Sequence, residues 1–204
     1  GSDDGKIYHL ALNGTKYWSY STGSKIRSSP SIGENGTVFL GCMDGKIYSL
    51  RGNGSMIWNE SMKDSIVSSP AVHENGSVTF CSSTGLLRTY DRNGTIETNV
   101  TIGSNTTSSP SLDNRSKIFI GDSGGNLISY YNNGSLRWSG KLGDSINSSA
   151  SIDSNGTIFI GTSNGKFYAI GVTEPGPPVS LNGLKGSSFF NLSWSKPTNN
   201  GGGD

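Results

Sequence analysis

The motif with the clearest chemical meaning in this sequence is Asn-x-Ser/Thr, the acceptor for N-linked sugars. It begins at Asn13, Asn35, Asn53, Asn59, Asn75, Asn93, Asn99, Asn105, Asn114, Asn133, Asn147, Asn155 and Asn191. Most of these positions suit a turn, where Asn is favoured for its own reasons. Asn59, Asn99, Asn105 and Asn147 fall outside the predicted hairpins, so turn chemistry does not account for them. Turn chemistry and glycosylation both stay open, and glycosylation predicts a secreted or cell-surface protein.

Acidic side chains in predicted loops raise the question of a metal site. They are Asp3, Asp4, Asp44 and Asp122. A calcium loop needs several oxygen ligands at alternate positions, closed by a Glu. Each loop here contains only one or two acidic residues. At the position of Asp44, the later repeats have Thr84, Gly124 and Asn164 instead. We therefore expect Asp before Gly to serve the turn, and we expect no metal and no cofactor.

Residues that could act as nucleophiles or bases are few and isolated. Cys42 and Cys81 are not adjacent, and we expect isolated small core residues rather than a disulfide. His9 falls within a predicted strand and His73 in a turn, and neither has the partner spacing of a zinc site or a catalytic triad. No catalytic residue is therefore expected, and the chain is not predicted to be an enzyme.

Composition excludes two classes of partner. Charged residues make up 15% of the 204-residue chain and the formal net charge is +1. A nucleic-acid-binding surface is expected to carry a basic stripe, so nucleic acid is not an expected partner. The apolar runs are only a few residues long, whereas a membrane-spanning helix needs about 20 apolar residues. We therefore expect no membrane insertion in this segment.

The sequence repeats itself every 40 residues without a gap. The shared positions are Gly5, Gly45, Gly85, Gly125 and Gly165; the pairs that begin at Asn13, Asn53, Asn93 and Asn133; and the Ser pairs that begin at Ser28, Ser68, Ser108 and Ser148. Trp18, Trp58 and Trp138 share one position, which Thr98 occupies in the remaining repeat. Such a period indicates a repeat architecture.

Each repeat predicts four short strands, which in the first complete repeat are Ser28–Ile32, Thr37–Gly41, Lys46–Leu50 and Ser55–Asn59. Asn35-Gly36 and Asn53-Gly54 predict type I′ hairpin turns with positive φ at both central residues. Four up-and-down strands per 40 residues are typical of a β-propeller blade. The first and third turns are expected on one face. The second turn and the connections between blades, with the four unexplained Asn residues, are expected on the other.

Several motifs carry a family resemblance. Ser-Ser-Pro-x-apolar, Asn-Gly-Thr-Val-Phe-Leu-Gly, Asp-Gly-Lys-Ile-Tyr and the tryptophan positions resemble the pyrroloquinoline-quinone (PQQ)-like repeat of quinoprotein dehydrogenases and of the assembly lipoprotein BamB. The resemblance covers residues 1–171. It implies that Trp18, Trp58 and Trp138 dock each blade onto the next, with Thr98 departing from the pattern. The adjacent cysteines of the dehydrogenases have no counterpart here, so no catalytic residue carries over.

The repeat ends near residue 171, and we predict three segments. Residues 1–171 form the propeller blades, as a partial ring or arc. Residues 172–178 are a Pro/Gly linker. Residues 179–204, with Trp194, resemble the start of a fibronectin type III domain, which would be an incomplete β-sandwich. Both ends of the chain are expected to be cut from a larger protein.

Two functions fit these features. The first is a noncatalytic scaffold or interaction module of a larger cell-surface protein, extracellular or periplasmic, that binds a protein or glycan ligand. The alternative is a fragment of a quinoprotein-like dehydrogenase whose active site lies outside this segment. An assembly factor like the resembled lipoprotein is a third possibility, and it predicts a lipid-modified Cys upstream.

Overall fold

The computed structural model describes residues 1–171, which form strands joined by turns. The strands are Lys6–Leu10 (β1), Lys16–Ser21 (β2), Ser31–Ile32 (β3), Val38–Gly41 (β4), Lys46–Leu50 (β5), Met56–Ser61 (β6), Ala71–Val72 (β7), Val78–Cys81 (β8), Leu86–Tyr90 (β9), Ile96–Thr101 (β10), Ser111–Leu112 (β11), Ile118–Gly121 (β12), Asn126–Tyr130 (β13), Leu136–Lys141 (β14), Ser151–Ile152 (β15), Ile158–Gly161 (β16) and Phe167–Ile170 (β17). The described part contains no helix able to cross a membrane. The predicted linker and fibronectin-like segment lie outside the described residues.

The strands form five antiparallel sheets in chain order. Blade I is β3–β6, blade II is β7–β10 and blade III is β11–β14, each with four strands paired in sequence order. A hairpin (β1 and β2) precedes them and a three-stranded sheet (β15–β17) follows. This confirms the all-β prediction and the 40-residue blade. Among the described residues no strand pairing joins the hairpin to the last sheet, so the row of sheets is not closed.

The innermost strand is shorter than the sequence predicted. Residues 28–32 were expected to be a strand, but only Ser31–Ile32 pairs with β4. Pro30 has no N–H for the ladder. The Ser28 side chain instead accepts from Gly41 N–H at 2.9 Å, and Ser29 N–H donates to Ser69 of the next blade at 3.0 Å. Bonds to other elements therefore replace the strand ladder here.

The hairpin turns also differ from the type I′ prediction. Gly36 N–H bonds to the Gly33 carbonyl, and Gly33 N–H bonds to the Thr37 carbonyl. Gly36 has φ of 77°, whereas Asn35 is not among the residues with positive φ. This is a three-residue loop, a type I turn followed by one left-handed residue, and such a loop needs positive φ only at its last position. Ser116 takes the glycine position in blade III with φ of 57°.

Each outermost strand contains a β-bulge that the sequence did not reveal. In blade I, Ser49 pairs with Trp58 but the next residue, Leu50, pairs with Met56, so Ile57 has no partner. The same shift occurs before Trp18, Thr98 and Trp138. A bulge bends its strand and re-aims the neighbouring side chain. It therefore helps to set the direction in which each docking residue points.

The apolar core lies between successive sheets. Four clusters each combine side chains from two neighbouring sheets, as when Phe39 and Trp58 of blade I pack with Phe80 and Tyr90 of blade II. In β4 all four residues are buried. A blade therefore buries both of its faces, as the apolar residues on both faces of Lys46–Leu50 predicted.

Candidate functional site

The joints between sheets are built from a repeated hydrogen bond. Trp18 Nε1 donates to the Gly52 carbonyl at 2.8 Å, and Trp58 Nε1 donates to the Arg92 carbonyl at 3.0 Å. In both cases the acceptor lies 34 residues further along the chain, in a turn of the next blade. The third tryptophan, Trp138, is half-buried and packs 6.1 Å from the ring of Phe119. The position 34 residues further on from Trp138 lies outside the described residues.

Thr98 preserves the polar half of this joint. Its Oγ1 donates to the Asn132 carbonyl at 2.6 Å, again 34 residues further on. Thr98 is buried, and the turn glycine of the next blade, Gly134, lies against its methyl group. The departure at Thr98 therefore removes the aromatic ring from the joint but keeps the hydrogen bond to the next blade.

A serine ladder ties the inner ends of the blades together. The N–H groups of Ser29, Ser69 and Ser109 donate to the side-chain oxygens of Ser69, Ser109 and Ser149 at 3.0, 2.8 and 2.9 Å. Every bond spans one repeat. The small polar inner segment that the sequence showed is thus a linkage between blades, and it presents no carboxylate or base that could do chemistry.

Blade II carries a buried polar chain that blades I and III lack. His73 Nε2 lies 2.7 Å from Thr79 Oγ1, which lies 2.8 Å from Thr89 Oγ1. Burial lowers the pKa of His73, and Glu97 opposes that shift only in part. In blades I and III the corresponding Ser49 and Ser129 hydroxyls are buried without a hydrogen-bond partner, because a Phe replaces Thr79 there.

The sequence predicts that His73 is a structural or solvated residue, and the structure shows the structural role, with His73 buried and hydrogen-bonded to Thr79. The signal was present in the repeat, since Phe39 is matched by Thr79 and Trp58 by Thr98. His9, in contrast, is exposed and contacts the rings of Tyr17 and Trp18, with centroids 4.9 and 5.4 Å away.

The loop carboxylates serve turns and surface pairs. Asp44 accepts from Lys46 N–H at 2.9 Å and from the Tyr48 hydroxyl at 2.9 Å, and Asp4 makes the same contacts with Lys6 and Tyr8. Asp122 accepts from Asn126 through both carboxylate oxygens. The hydrogen bond from Arg27 leads the interactions that lower the pKa of Asp3. Across residues 1–171 no three His, Cys, Asp or Glu side chains come together in a way that could hold a metal ion.

The cysteines are unpaired and lie in different cores. Cys42 packs between the N-terminal hairpin and blade I, and Cys81 between blades II and III. Burial raises the pKa of the Cys81 thiol to about 12, so it stays protonated and unreactive near neutral pH. The prediction of isolated core cysteines is confirmed.

The Asn residues of the acceptor motifs divide among three regions. All twelve that the structure describes are exposed. Eight lie in the first and third turns of the blades, at one face that we name the hairpin face: Asn13, Asn35, Asn53, Asn75, Asn93, Asn114, Asn133 and Asn155. Asn105 and Asn147 lie in the connections between blades, at the opposite or connection face. Asn191 lies outside the described residues.

The placement of the remaining two corrects a prediction. Asn59 and Asn99 were expected at the connections between blades, with Asn59 ending the predicted strand Ser55–Asn59, but both lie inside the outermost strands, because β6 continues to Ser61 and β10 to Thr101. The reason is the bulge, since the extra residue lengthens the pairing and each outermost strand continues three residues beyond the docking position.

Two recesses could receive a ligand. A groove of about 470 Å³ lies on the hairpin face between blades I and II, with Phe39 and Ile57 beside Glu34, Glu74 and Arg92. A shallower recess of about 200 Å³ lies on the connection face and is lined by polar residues that include Asp3, Asp4 and Lys25. His73 and Thr37 also line the first groove, where the His73 ring is already hydrogen-bonded to Thr79, and Thr22 and Ser24 line the second.

Comparison with known proteins agrees with this architecture. Residues 3–188 match the family described as outer membrane protein assembly factor BamB, a range that includes the predicted linker and reaches into the segment beyond it. A search of curated proteins gave no significant match.

Among solved structures, BamB from Moraxella catarrhalis has a TM-score of 0.72 at 16% identity, over 83% of this chain and 56% of that one. The computationally designed Ika8 protein has a TM-score of 0.74 at 14% identity, over 84% of this chain and 54% of that one. The WD40 β-propeller domain of Doa1 has a TM-score of 0.71 at 19% identity, over 85% and 60%. These likenesses show the fold, and the chain spans little more than half the length of the first two structures. With its four-stranded repeats and this family match, the chain belongs to the BamB family of PQQ-like β-propellers.

Proposed function

We propose that this chain is a noncatalytic scaffold, an interaction module of a larger extracytoplasmic protein that binds a protein or glycan partner. The observation that carries the proposal is the uniform construction of the joints. Hydrogen bonds at spacings of 34 and 40 residues lock successive blades together. Turns rather than elaborated loops connect the strands, and such a rigid framework favours presentation of a broad surface.

The extracytoplasmic location is supported by the chemistry of the acceptor Asn residues. In five of the turns the Asn side-chain oxygen accepts from the backbone N–H two residues later, at Asn13, Asn35, Asn53, Asn75 and Asn133. A sugar is attached to the side-chain nitrogen, so the turn bond and a glycan are compatible. We propose that these exposed Asn residues carry N-linked glycans.

The connection face is the proposed partner surface. Eight of the twelve described acceptor Asn residues lie on the hairpin face, where Asn35 borders the larger groove. Glycans there would cover that face, whereas the connection face holds only Asn105 and Asn147. A fibronectin type III-like domain that begins at residue 179, after a linker at 172–178, is proposed as the neighbouring spacer.

Labelling of intact cells tests this function. A membrane-impermeant biotinylation reagent should label the chain on cells that produce it. Lysine-directed cross-linking should then yield partner peptides from Lys25 and Lys63, near the connection face, and fewer from Lys16 at the hairpin face. Labelling only after lysis would contradict the location, and cross-links mainly from Lys16 would contradict the choice of face.

The dehydrogenase alternative has a separate test. A ligand that binds only the native state must raise its melting temperature. Because that alternative places the active site outside this segment, the test uses the full-length protein, whose melting temperature we expect PQQ with calcium to leave unchanged. A reproducible rise would favour the quinoprotein alternative.

A further inference from the structure

The outermost strands of the blades are exposed sheet edges. β2, β6, β10 and β14 each end their sheet and pair on one side only. An unpaired edge offers free N–H and C=O groups to a strand from another molecule, so proteins protect edges, most often with Lys, Pro or bulges. All four edges contain the bulge already described. Any difference in their protection must therefore come from the side chains.

The four edges differ in charge. β2 contains Lys16 and β14 contains Arg137 and Lys141, whereas β6 and β10 contain no Lys or Arg. β6 and β10 carry one carboxylate each, Glu60 and Glu97. An acidic edge of one molecule would attract a basic edge of another, so these charges alone do not keep copies apart.

The two acidic edges also expose apolar side chains. Met56 at the start of β6 is 42% exposed, and Ile96 at the same position of β10 is 45% exposed. Lys16 occupies this position in β2, whereas β14 has Leu136 there, which is 58% exposed, so β6 and β10 differ from β14 in lacking Lys and Arg and not in this apolar side chain. An edge strand that exposes an apolar side chain and carries no Lys keeps only its bulge as protection against edge-to-edge association.

The two strands that lack Lys and Arg are the two that carry a glycosylation motif in mid-strand. Asn59 and Asn99 are exposed and occupy equivalent positions, where β2 and β14 have Ser19 and Ser139. The Asn59 side-chain nitrogen contacts only the Met56 sulfur, at 3.1 Å. Asn99 uses its oxygen to accept from Arg88 Nε at 3.0 Å. Both side-chain nitrogens are therefore accessible for modification.

We propose that glycans on Asn59 and Asn99 shield the β6 and β10 edges against pairing with other copies of the chain. This inference rests on the proposed glycosylation. A glycan in the middle of an edge strand would hinder the approach of a second strand along the whole edge. Lysines serve that purpose in β2 and β14, and sugars serve it in β6 and β10.

The test compares two double variants of the glycosylated full chain. Asn59→Gln with Thr101→Ala removes the edge acceptors, and neither Asn59 nor Thr101 makes a strong side-chain bond. Thr15→Ala with Thr157→Ala removes two acceptors in turns, at Asn13 and Asn155, as the matched control. Sedimentation velocity should show at least a several-fold larger dimer fraction for the edge variant than for the control. Equal dimer fractions in the two variants would overturn the proposal.

Two further measurements separate the possible failures. Glycopeptide mapping should find sugar at Asn59 and Asn99. Sugar elsewhere but not at these two residues would overturn only this inference, while sugar at no position would remove the proposed glycosylation as well. In unglycosylated protein, the double variant Met56→Lys with Thr101→Lys places lysines on the β6 and β10 edges at the positions of Lys16 and Lys141. This variant should be monomeric. Persistent dimers in that variant would overturn the edge explanation.

Discussion

The contact between the turn residue Gly54 and the Trp18 ring leads to a quantitative prediction. Gly14 and Gly54 occupy the same turn position, with φ of 83° and 86° and the same turn hydrogen bond. A Cβ at Gly14 would meet nothing within 4 Å, whereas a Cβ at Gly54 would lie 2.7 Å from Trp18 Cδ2. Alanine at the two positions therefore has the same backbone strain but differs in its contact with the indole.

The expected magnitudes follow from these two terms. Left-handed backbone costs an L-residue about 1–2 kcal/mol, which is the whole effect expected for Gly14→Ala. Forcing a methyl group into a packed contact adds about 1–3 kcal/mol, so Gly54→Ala should cost about 2–5 kcal/mol. Gly94→Ala should fall between them, because its Cβ would lie 3.1 Å from the Trp58 ring.

Urea unfolding of the full chain, followed by far-ultraviolet circular dichroism, measures these costs without relying on tryptophan fluorescence. A double-mutant cycle then isolates the contact. In a Trp18→Ala background the extra cost of Gly54→Ala should vanish and leave only the strain seen at Gly14. Equal losses for Gly14→Ala and Gly54→Ala in the native background would refute the packed joint.

Four further predictions concern single side chains, and each is read from urea midpoints. The pKa of His73 is lowered in the folded chain, so the unfolded chain binds the proton more readily, and the free energy of unfolding should fall as pH drops from about 7 to 5. His73→Gln should make the free energy of unfolding less dependent on pH in this range. Ser49→Ala should be neutral or stabilising because its hydroxyl has no partner, whereas Thr89→Val should cost about 1–3 kcal/mol by breaking the buried polar chain. Thr98→Val should cost about 1–3 kcal/mol because it leaves the Asn132 carbonyl without its donor, and Thr98→Ser should largely retain stability. Ser116→Gly should stabilise by about 0.5–1 kcal/mol because it relieves positive φ. A stability change of the opposite sign in any of these variants would contradict the contact or strain on which its prediction rests.

The sequence predicted those features that depend on neighbouring residues. The period, the number of strands and the positions of the turns all follow from local patterns, and Lys46–Leu50 has the predicted bounds. The turn type was wrong because it depends on how many residues the loop contains: the Asn-Gly pair at 35–36 ends a three-residue loop.

The features that the sequence did not predict depend on distant partners. The strand expected over residues 28–32 is shortened by bonds to Gly41 and Ser69, which lie 13 and 40 residues away. The bulges arise from pairing register, and they moved Asn59 and Asn99 from the predicted connections into strands. The acceptors of the docking bonds are backbone carbonyls, so no residue type marks them in the sequence.

Thr98 separates the two contributions that tryptophan makes to a joint. At all three joints whose donor and acceptor are both described, a side chain donates to a carbonyl 34 residues further on, while the indole occurs in only two of them. The common requirement is therefore the donor, which fixes the next blade in position. The ring adds buried area; at the joint between blades II and III, Val100 packs against the core and lies beside Gly134, where blade I has Glu60 at the matching position. A family pattern written in terms of tryptophan thus describes the usual side chain at this position, whereas the joint itself is defined by the hydrogen bond.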